Sequence, residues 1–273
     1  MSSLKEILRK YRAFPIKRLG QNFLIDKNVL KKIVDAAELS KKDVVLEVGP
    51  GIGNLTIELA KRAKKVIAVE KDKRMVEILK ERLKEEGIEN VETFNEDILK
   101  FLPSFEPKTP YKVVANIPYY LTSRLIRNLL EIKRKPRLIV LMVQKEVAQR
   151  ICAKPPKMNL LAVSVQFYAK PEIVAFAPRS SFWPRPKVDS AILKISPFKL
   201  RGQKFKKDLF FKIVKAGFCQ PRKQLINSLA KGLKKNKKII RDWLLICGIS
   251  PEKRAEALSI EDWKKLAMLE YKF

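Results

Sequence analysis

Asp43-Val44-Val45-Leu46-Glu47 runs directly into Val48-Gly49-Pro50-Gly51-Ile52-Gly53, and this stretch decides the fold class. A short apolar, β-branched run bounded by a glycine turn reads as a buried strand. Leu55 to Arg62 follows as a short helix, so the turn lies between a strand and a helix. Nucleoside cofactors are held at such turns, because glycine lets the backbone approach a ligand closely. Gly49-x-Gly51-x-Gly53 lacks the sixth-position glycine of the dinucleotide pattern, since Leu55 and Thr56 follow. Three glycines are equally compatible with a simple tight turn, and the surrounding chain separates the two readings.

Working outward, Lys65 to Val69 reads as the next strand, and Lys73 to Glu86 as a helix with Met75, Val76, Leu79 and Leu83 on one face. Val91 to Phe94 and Tyr111 to Ala115 are further strands, separated by Pro103, Pro107 and Pro110. Thr122 to Leu130 has helical spacing, and Arg137 to Val143 is a continuous buried strand. This alternation predicts an α/β fold, a Rossmann-like parallel sheet with helices on both faces. After about Lys170 the pattern changes to strands at Ile173–Phe176 and Ala191–Ile195, divided by the proline-rich Pro178 to Pro186. Beyond Pro197 only helical signals remain, at Leu209–Gly217, Arg222–Leu233, Lys237–Leu245 and Ile260–Glu270. Two domains are expected: a cofactor-binding domain over residues 1–196 and a small all-helical one over 197–273.

Acidic residues end three successive strands: Glu47, Glu70 and Asp97. Glu70 lies 21 residues after Gly49, where a carboxylate can bind both hydroxyls of a ribose. Asp97 can accept a hydrogen bond from an adenine amine. No Gly-Lys-Ser/Thr follows the loop to neutralise phosphates. An acidic cleft without phosphate ligands suits S-adenosylmethionine better than a nicotinamide or flavin cofactor.

Asn116-Ile117-Pro118-Tyr119 closes the strand Tyr111 to Ala115. An amide and a neighbouring carbonyl can accept the hydrogens of an exocyclic amine, while the tyrosine stacks on the ring that bears it. Proline stiffens the turn that presents them. Methyl transfer onto adenine follows as the expected chemistry.

Charge supplies the partner. The chain carries 59 Lys+Arg against 29 Asp+Glu, a formal net charge of +30, which predicts a polyanion. Residues 197–273 hold 20 Lys/Arg and 7 Asp/Glu, so the charge is densest in the helical tail. Lys17, Arg18, Arg222, Lys223 and the run Lys234-Lys235-Asn236-Lys237-Lys238 are candidate phosphate contacts. No apolar run approaches the ~18–20 residues of a membrane span. Met1 to Arg18 is basic without an apolar core, so a cytoplasmic location is expected. Cys152, Cys219 and Cys247 lack metal-ligand spacing and there is no histidine, which leaves no metal site and no histidine-based catalysis.

Six stretches resemble, in order, the KsgA-type small-subunit ribosomal RNA adenine dimethyltransferases: Leu19 to Leu24, Glu47 to Thr56, Asn116 to Tyr120, Met142 to Val147, Phe182 to Ser190 and Arg254 to Ser259. The resemblance implies a Rossmann-like S-adenosylmethionine-dependent methyltransferase domain and a helical C-terminal domain. It also implies four methyl transfers to N6 of two adjacent adenosines, in a hairpin near the 3′ end of small-subunit rRNA. By matching motifs, Gln21, Asn22, Leu24, Gly49, Gly51, Glu70, Asp97 and Asn116 would form the cofactor site. Asn116, Pro118 and Tyr119 would hold the target adenine and Phe182 would cover its other face. The partners implied are small-subunit rRNA and the immature small ribosomal subunit, met by a monomer. Arg124, Arg185 and Pro221 depart from the family's usual residues, which bears on RNA contacts rather than on methyl transfer.

Three other readings compete. A large-subunit rRNA adenine methylase of the erythromycin-resistance type shares most of these motifs, but Gln220 to Leu229 and Arg254 to Ser259 resemble the small-subunit type. A DNA adenine methylase would grip its base with a similar turn. A mainly non-catalytic ribosome assembly factor would not need the complete cofactor set.

Overall fold

The computed structural model describes residues 4–11, 14–16, 19–198 and 206–269. Its first elements are α1 (Leu4–Lys10), β1 (Phe23–Leu24), α2 (Lys27–Ala36), β2 (Val44–Val48), α3 (Asn54–Ala60), β3 (Lys65–Glu70), α4 (Lys73–Glu85) and β4 (Val91–Asn95). There follow α5 (Ile98–Ser104), β5 (Tyr111–Asn116), α6 (Thr122–Glu131), β6 (Leu138–Gln144), α7 (Lys145–Ile151), α8 (Leu160–Gln166), β7 (Ala169–Ala177), β8 (Phe182–Trp183) and β9 (Ser190–Pro197). Helices α9 (Lys207–Gly217), α10 (Leu225–Leu233), α11 (Lys237–Ile246) and α12 (Ile260–Leu269) complete the order.

Seven strands form one sheet in the order β4-β3-β2-β5-β6-β9-β7. Strands β2, β3, β4, β5 and β6 pair in parallel, and β9 runs antiparallel to β6. Central strands of a parallel sheet are covered on both faces, which is why they read as unbroken apolar runs. Val45, Leu46, Val113, Val114, Ile139, Val140 and Leu141 all have zero exposure. The edges are polar by comparison. On β4, Glu92 is exposed and pairs with Lys65 at 2.6 Å, while β7 carries Pro171, tolerated where a strand has one unpaired side. The expected parallel α/β sheet is the observed one.

Side-chain caps start two of the flanking helices. Asp26 Oδ1 accepts from the amides of Asn28 and Val29 at 2.9 and 3.2 Å, opening α2. Asp72 accepts from the Arg74 amide at 3.1 Å to open α4, whose Met75, Val76, Leu79 and Leu83 are buried as their spacing predicts.

The chain divides into two compact units. One takes the chain up to Ala148 together with Pro171–Pro197; the other takes Gln149–Lys170 and the chain from Phe198 on. Residues 149–170, assigned by sequence to the first domain, group with the helical unit. The cause is aromatic packing within that unit: Phe167 meets Phe210 with ring centroids 4.3 Å apart and Phe211 at 5.1 Å. Trp243 and Trp263 are its largest buried side chains, at 2% and 0% exposure.

Candidate active site

Strand order reverses between β2 and β5, and in open α/β sheets ligands bind at such a switch point, beyond the carboxyl ends of the strands. A cleft lies there. It is lined by Leu19–Leu24, the loop after β2, Glu70 and Lys71, Glu96–Leu99, and Asn116 through Leu121 with Arg124. The structure thus brings together Gln21, Asn22, Leu24, Gly49, Gly51, Glu70, Asp97, Asn116, Pro118 and Tyr119. It does not bring Phe182 to the cleft.

The glycine loop takes its shape from backbone and packing together. Gly49, Gly51 and Gly53 have φ of +65°, +57° and +89°, where a side chain is disfavoured. A Cβ on Gly53 would lie 2.4 Å from Leu79 Cδ1, whereas one on Gly49 would meet nothing within 4 Å. Glu70 then locks the loop: its Oε2 accepts from the Gly51 amide at 3.0 Å and its Oε1 from the Asp72 amide at 2.9 Å. The Lys71 amide adds a third backbone hydrogen bond to this carboxylate. Burial raises the Glu70 pKa in spite of these bonds.

The three acidic strand ends are not equivalent. Glu47 is 1% exposed, its Oε2 has no hydrogen-bond partner, and burial pushes its pKa up to about 8, with the nearby Glu70 adding to the rise. Its carboxyl is therefore mostly neutral at pH 7. Asp97 is held below the usual carboxylate range, chiefly by Lys71, whose Nζ donates to Oδ2 at 2.8 Å. Its Oδ1 accepts from the Leu99 amide at 3.0 Å and so caps α5.

Asn116 is oriented by a residue far away in sequence. Its Nδ2 donates to the Asn22 carbonyl at 3.1 Å, and because a carbonyl only accepts, the amide can face only one way. Oδ1 is left as an acceptor in the cleft. Asn22 in turn donates to the Gly20 carbonyl at 3.1 Å. Gln21 spends both ends of its amide on protein partners, donating to Asp72 Oδ2 at 3.1 Å and accepting from the Ile16 amide at 2.7 Å. It ties the N-terminal segment to Asp72 at the start of α4. Gly20, at φ +64°, allows a close approach: a Cβ there would sit 3.2 Å from Pro118 Cβ and 3.4 Å from Tyr120 Cε1.

Two further residues, which sequence reading did not single out, hold the loop. Asn54 donates to the Leu24 carbonyl at 3.1 Å, which joins β1 to the glycine loop. Arg82 donates to Asn54 Oδ1 at 3.0 Å and to the Ile52 carbonyl.

Pro118, with φ −57°, starts a single 3₁₀ turn at Tyr119–Leu121 that leads into α6. The Tyr119 hydroxyl pairs with Ser190 Oγ at 2.7 Å, which fixes the ring, and burial raises the phenol pKa. Phe182 is 3% exposed and belongs to the core cluster around Leu24, Val29 and Ile33; on β8 it sits opposite Leu24 of β1. As placed, it has no face to offer a base. The exposed aromatic of the cleft is Tyr120, at 63%.

In the helical unit Arg222, Lys223, Lys234, Lys237 and Lys238 are exposed and Lys235 is half-buried. Lys17 and Arg18 lie outside the described residues. Pro221 and Arg185 are exposed, and Arg124 is exposed at the cleft. Among the described residues no group of three or more His, Cys, Asp or Glu can hold a metal, and no helix is long and apolar enough to cross a membrane.

The family model for ribosomal RNA adenine dimethylase matches residues 16–271. Ribosomal RNA small subunit methyltransferase A of Dehalococcoides mccartyi (strain CBDB1) is 48% identical, over 99% of this chain and 93% of that protein. Among solved structures, a dimethyladenosine transferase from Plasmodium falciparum matches with a TM-score of 0.77 and 32% identity, over 90% of this chain and 96% of that one. The 23S rRNA methyltransferase ErmE matches with a TM-score of 0.73 and 30% identity, over 90% and 98%. These matches run over nearly the whole chain, and the chain belongs to the ribosomal RNA adenine dimethylase family.

Proposed function

We propose that this protein dimethylates N6 of two adjacent adenosines in the 3′-terminal hairpin of small-subunit rRNA, acting on the immature small ribosomal subunit as a cytoplasmic monomer. The observation that carries the adenine chemistry is the fixed amide of Asn116, whose donor is committed to Asn22 and whose acceptor remains in the cleft. The residues of the glycine loop and Glu70 fit S-adenosylmethionine: Gly49 opens onto free space, and Glu70, already accepting from three backbone amides, keeps acceptor capacity for a ribose hydroxyl. That cofactor supplies an electrophilic methyl group on a sulfonium.

Adenine N6 is a weak nucleophile because its lone pair is delocalised into the ring. Asn116 Oδ1 and the Ile117 carbonyl, accepting both amine hydrogens, turn the lone pair out of conjugation and aim it. Tyr119, anchored through its hydroxyl, holds the ring plane, and base stacking of this kind contributes about 1–3 kcal/mol against the cost of extruding the base. In-line displacement needs proximity and alignment above all, so no histidine is required. The alkylated amine is strongly acidic and loses its proton after transfer.

Small-subunit rRNA is favoured over large-subunit rRNA by the 48% identity to a relative named for the small subunit, against 30% to ErmE. Incubation with labelled S-adenosylmethionine and purified subunits tests this. Small subunits lacking the modification should accept label, and label in large-subunit RNA alone would overturn the proposal. A catalytically dead variant that still rescued subunit assembly would add a binding role.

A further inference from the structure

Two cations, Lys71 and Arg124, line the cleft. Lys71 is taken up by Asp97 on the cofactor side. Arg124 is exposed and has neither a hydrogen bond nor an ion pair among the described residues. It lies in the first turn of α6, four residues after Tyr120, which belongs to the 3₁₀ turn leading into that helix, and both residues line the cleft. Tyr120 is 63% exposed and its Cε1 side rests over Gly20. An unpartnered guanidinium and an exposed ring therefore both border the cleft, immediately after the turn proposed to grip the base.

We infer that Arg124 and Tyr120 form a clamp for the RNA strand beside the target adenosine, Arg124 binding a backbone phosphate and Tyr120 stacking on a neighbouring base. The inference rests on the proposed RNA substrate and names residues of this chain that set how the strand enters. An extruded adenosine brings its own phosphates to the rim, where the guanidinium fork matches their geometry. An unpaired base next to it has a free face that an exposed aromatic ring can cover. None of the acidic groups that line the cleft, Glu47, Glu70, Glu96 and Asp97, pairs with Arg124. The other anion that could reach it is the carboxylate of the cofactor's methionine moiety, and the experiment separates the two.

The test compares Arg124→Ala, Arg124→Lys, Tyr120→Ala and Tyr120→Phe with the parent protein, on purified small subunits lacking the modification. Steady-state kinetics, filter binding of subunits over a salt series and calorimetry with S-adenosylhomocysteine are measured. Arg124→Ala should raise the KM for subunits roughly tenfold, with kcat within about twofold. It should also lower the slope of log affinity against log salt by about 0.7–0.9, the contribution of one phosphate. Arg124→Lys should restore the slope, and Tyr120→Phe, but not Tyr120→Ala, should behave as the parent. S-adenosylhomocysteine affinity should stay unchanged. Unaltered subunit affinity and salt slope in Arg124→Ala would overturn the inference, as would a loss confined to cofactor binding. Parent protein that binds subunits but methylates none would count against the proposed function instead, with the filter-binding comparison still deciding the clamp.

Discussion

Replacing Asn116 by alanine removes two polar functions that act on different steps. The first is the Nδ2 bond to the Asn22 carbonyl, 3.1 Å long and partly buried. A bond of that kind contributes about 0.5–1.5 kcal/mol net, and its loss loosens the N-terminal segment on the cofactor side. Cofactor affinity should therefore fall by no more than about tenfold, or ~1.4 kcal/mol. The second function is the Oδ1 dipole aimed at an amine that gains positive charge during transfer. Removing a preorganised group of this type costs about 2.7–4 kcal/mol, a factor of 10²–10³ in kcat. Calorimetry with S-adenosylhomocysteine reads the first effect, and single-turnover transfer at saturating cofactor reads the second. Asn116→Asp keeps the acceptor but sets a carboxylate against the Asn22 carbonyl, so it should lose affinity for cofactor while retaining more transfer than alanine. A single-turnover rate for Asn116→Ala within threefold of the parent would refute the assigned role. A cofactor affinity lowered a hundredfold or more would show that the residue acts through binding.

Gly53→Ala combines a left-handed backbone with a Cβ 2.4 Å from Leu79 Cδ1, so urea unfolding should show a loss of about 2–4 kcal/mol. A loss under about 0.5 kcal/mol would contradict that packing. The neutral carboxyl of Glu47 gives a pH signature. Its folded pKa of about 8 lies above the ordinary ~4.3, so the folded state binds the extra proton and stability falls as pH rises from ~4.3 to about 8. Glu70 is shifted in the same direction, so Glu47→Gln should flatten, without abolishing, this decline in melting temperature; an identical profile would count against it. Substituting Lys234, Lys235, Lys237 and Lys238 together by alanine should weaken RNA binding and its salt dependence while leaving the methylated site unchanged. Unchanged affinity and slope would remove that run from the interface.

How much was legible depended on how local each signal is. Strands β2, β3, β5 and β6 were readable because a doubly covered parallel sheet writes itself as apolar runs between turns. Helix α5 was not, since it is only seven residues long and contains Pro103 near its end. Helix α8 was missed too, because its short apolar run has no periodicity that separates helix from strand. At the site, the turn Asn116–Tyr119 announced its chemistry through adjacent residues. Its tuning came from afar: Asn22 is 94 residues from Asn116, Ser190 is 71 from Tyr119, and Arg82 is 28 from Asn54. Phe182 reads as an aromatic in a motif, and only the pairing of β1 with β8 reveals that it is spent on the core. Glu47 reads as one more acidic strand end, and only its burial makes it neutral.

On the proposed function, this cleft presents the N6 amine of adenine to a methyl donor and accepts the amine again after one transfer. Nuclease digestion and mass spectrometry of rRNA from small subunits incubated with the protein and S-adenosylmethionine test it directly. The expected product is N6,N6-dimethyladenosine at two adjacent positions. Methyl groups on another base, on ribose, or on N6 only singly would contradict it.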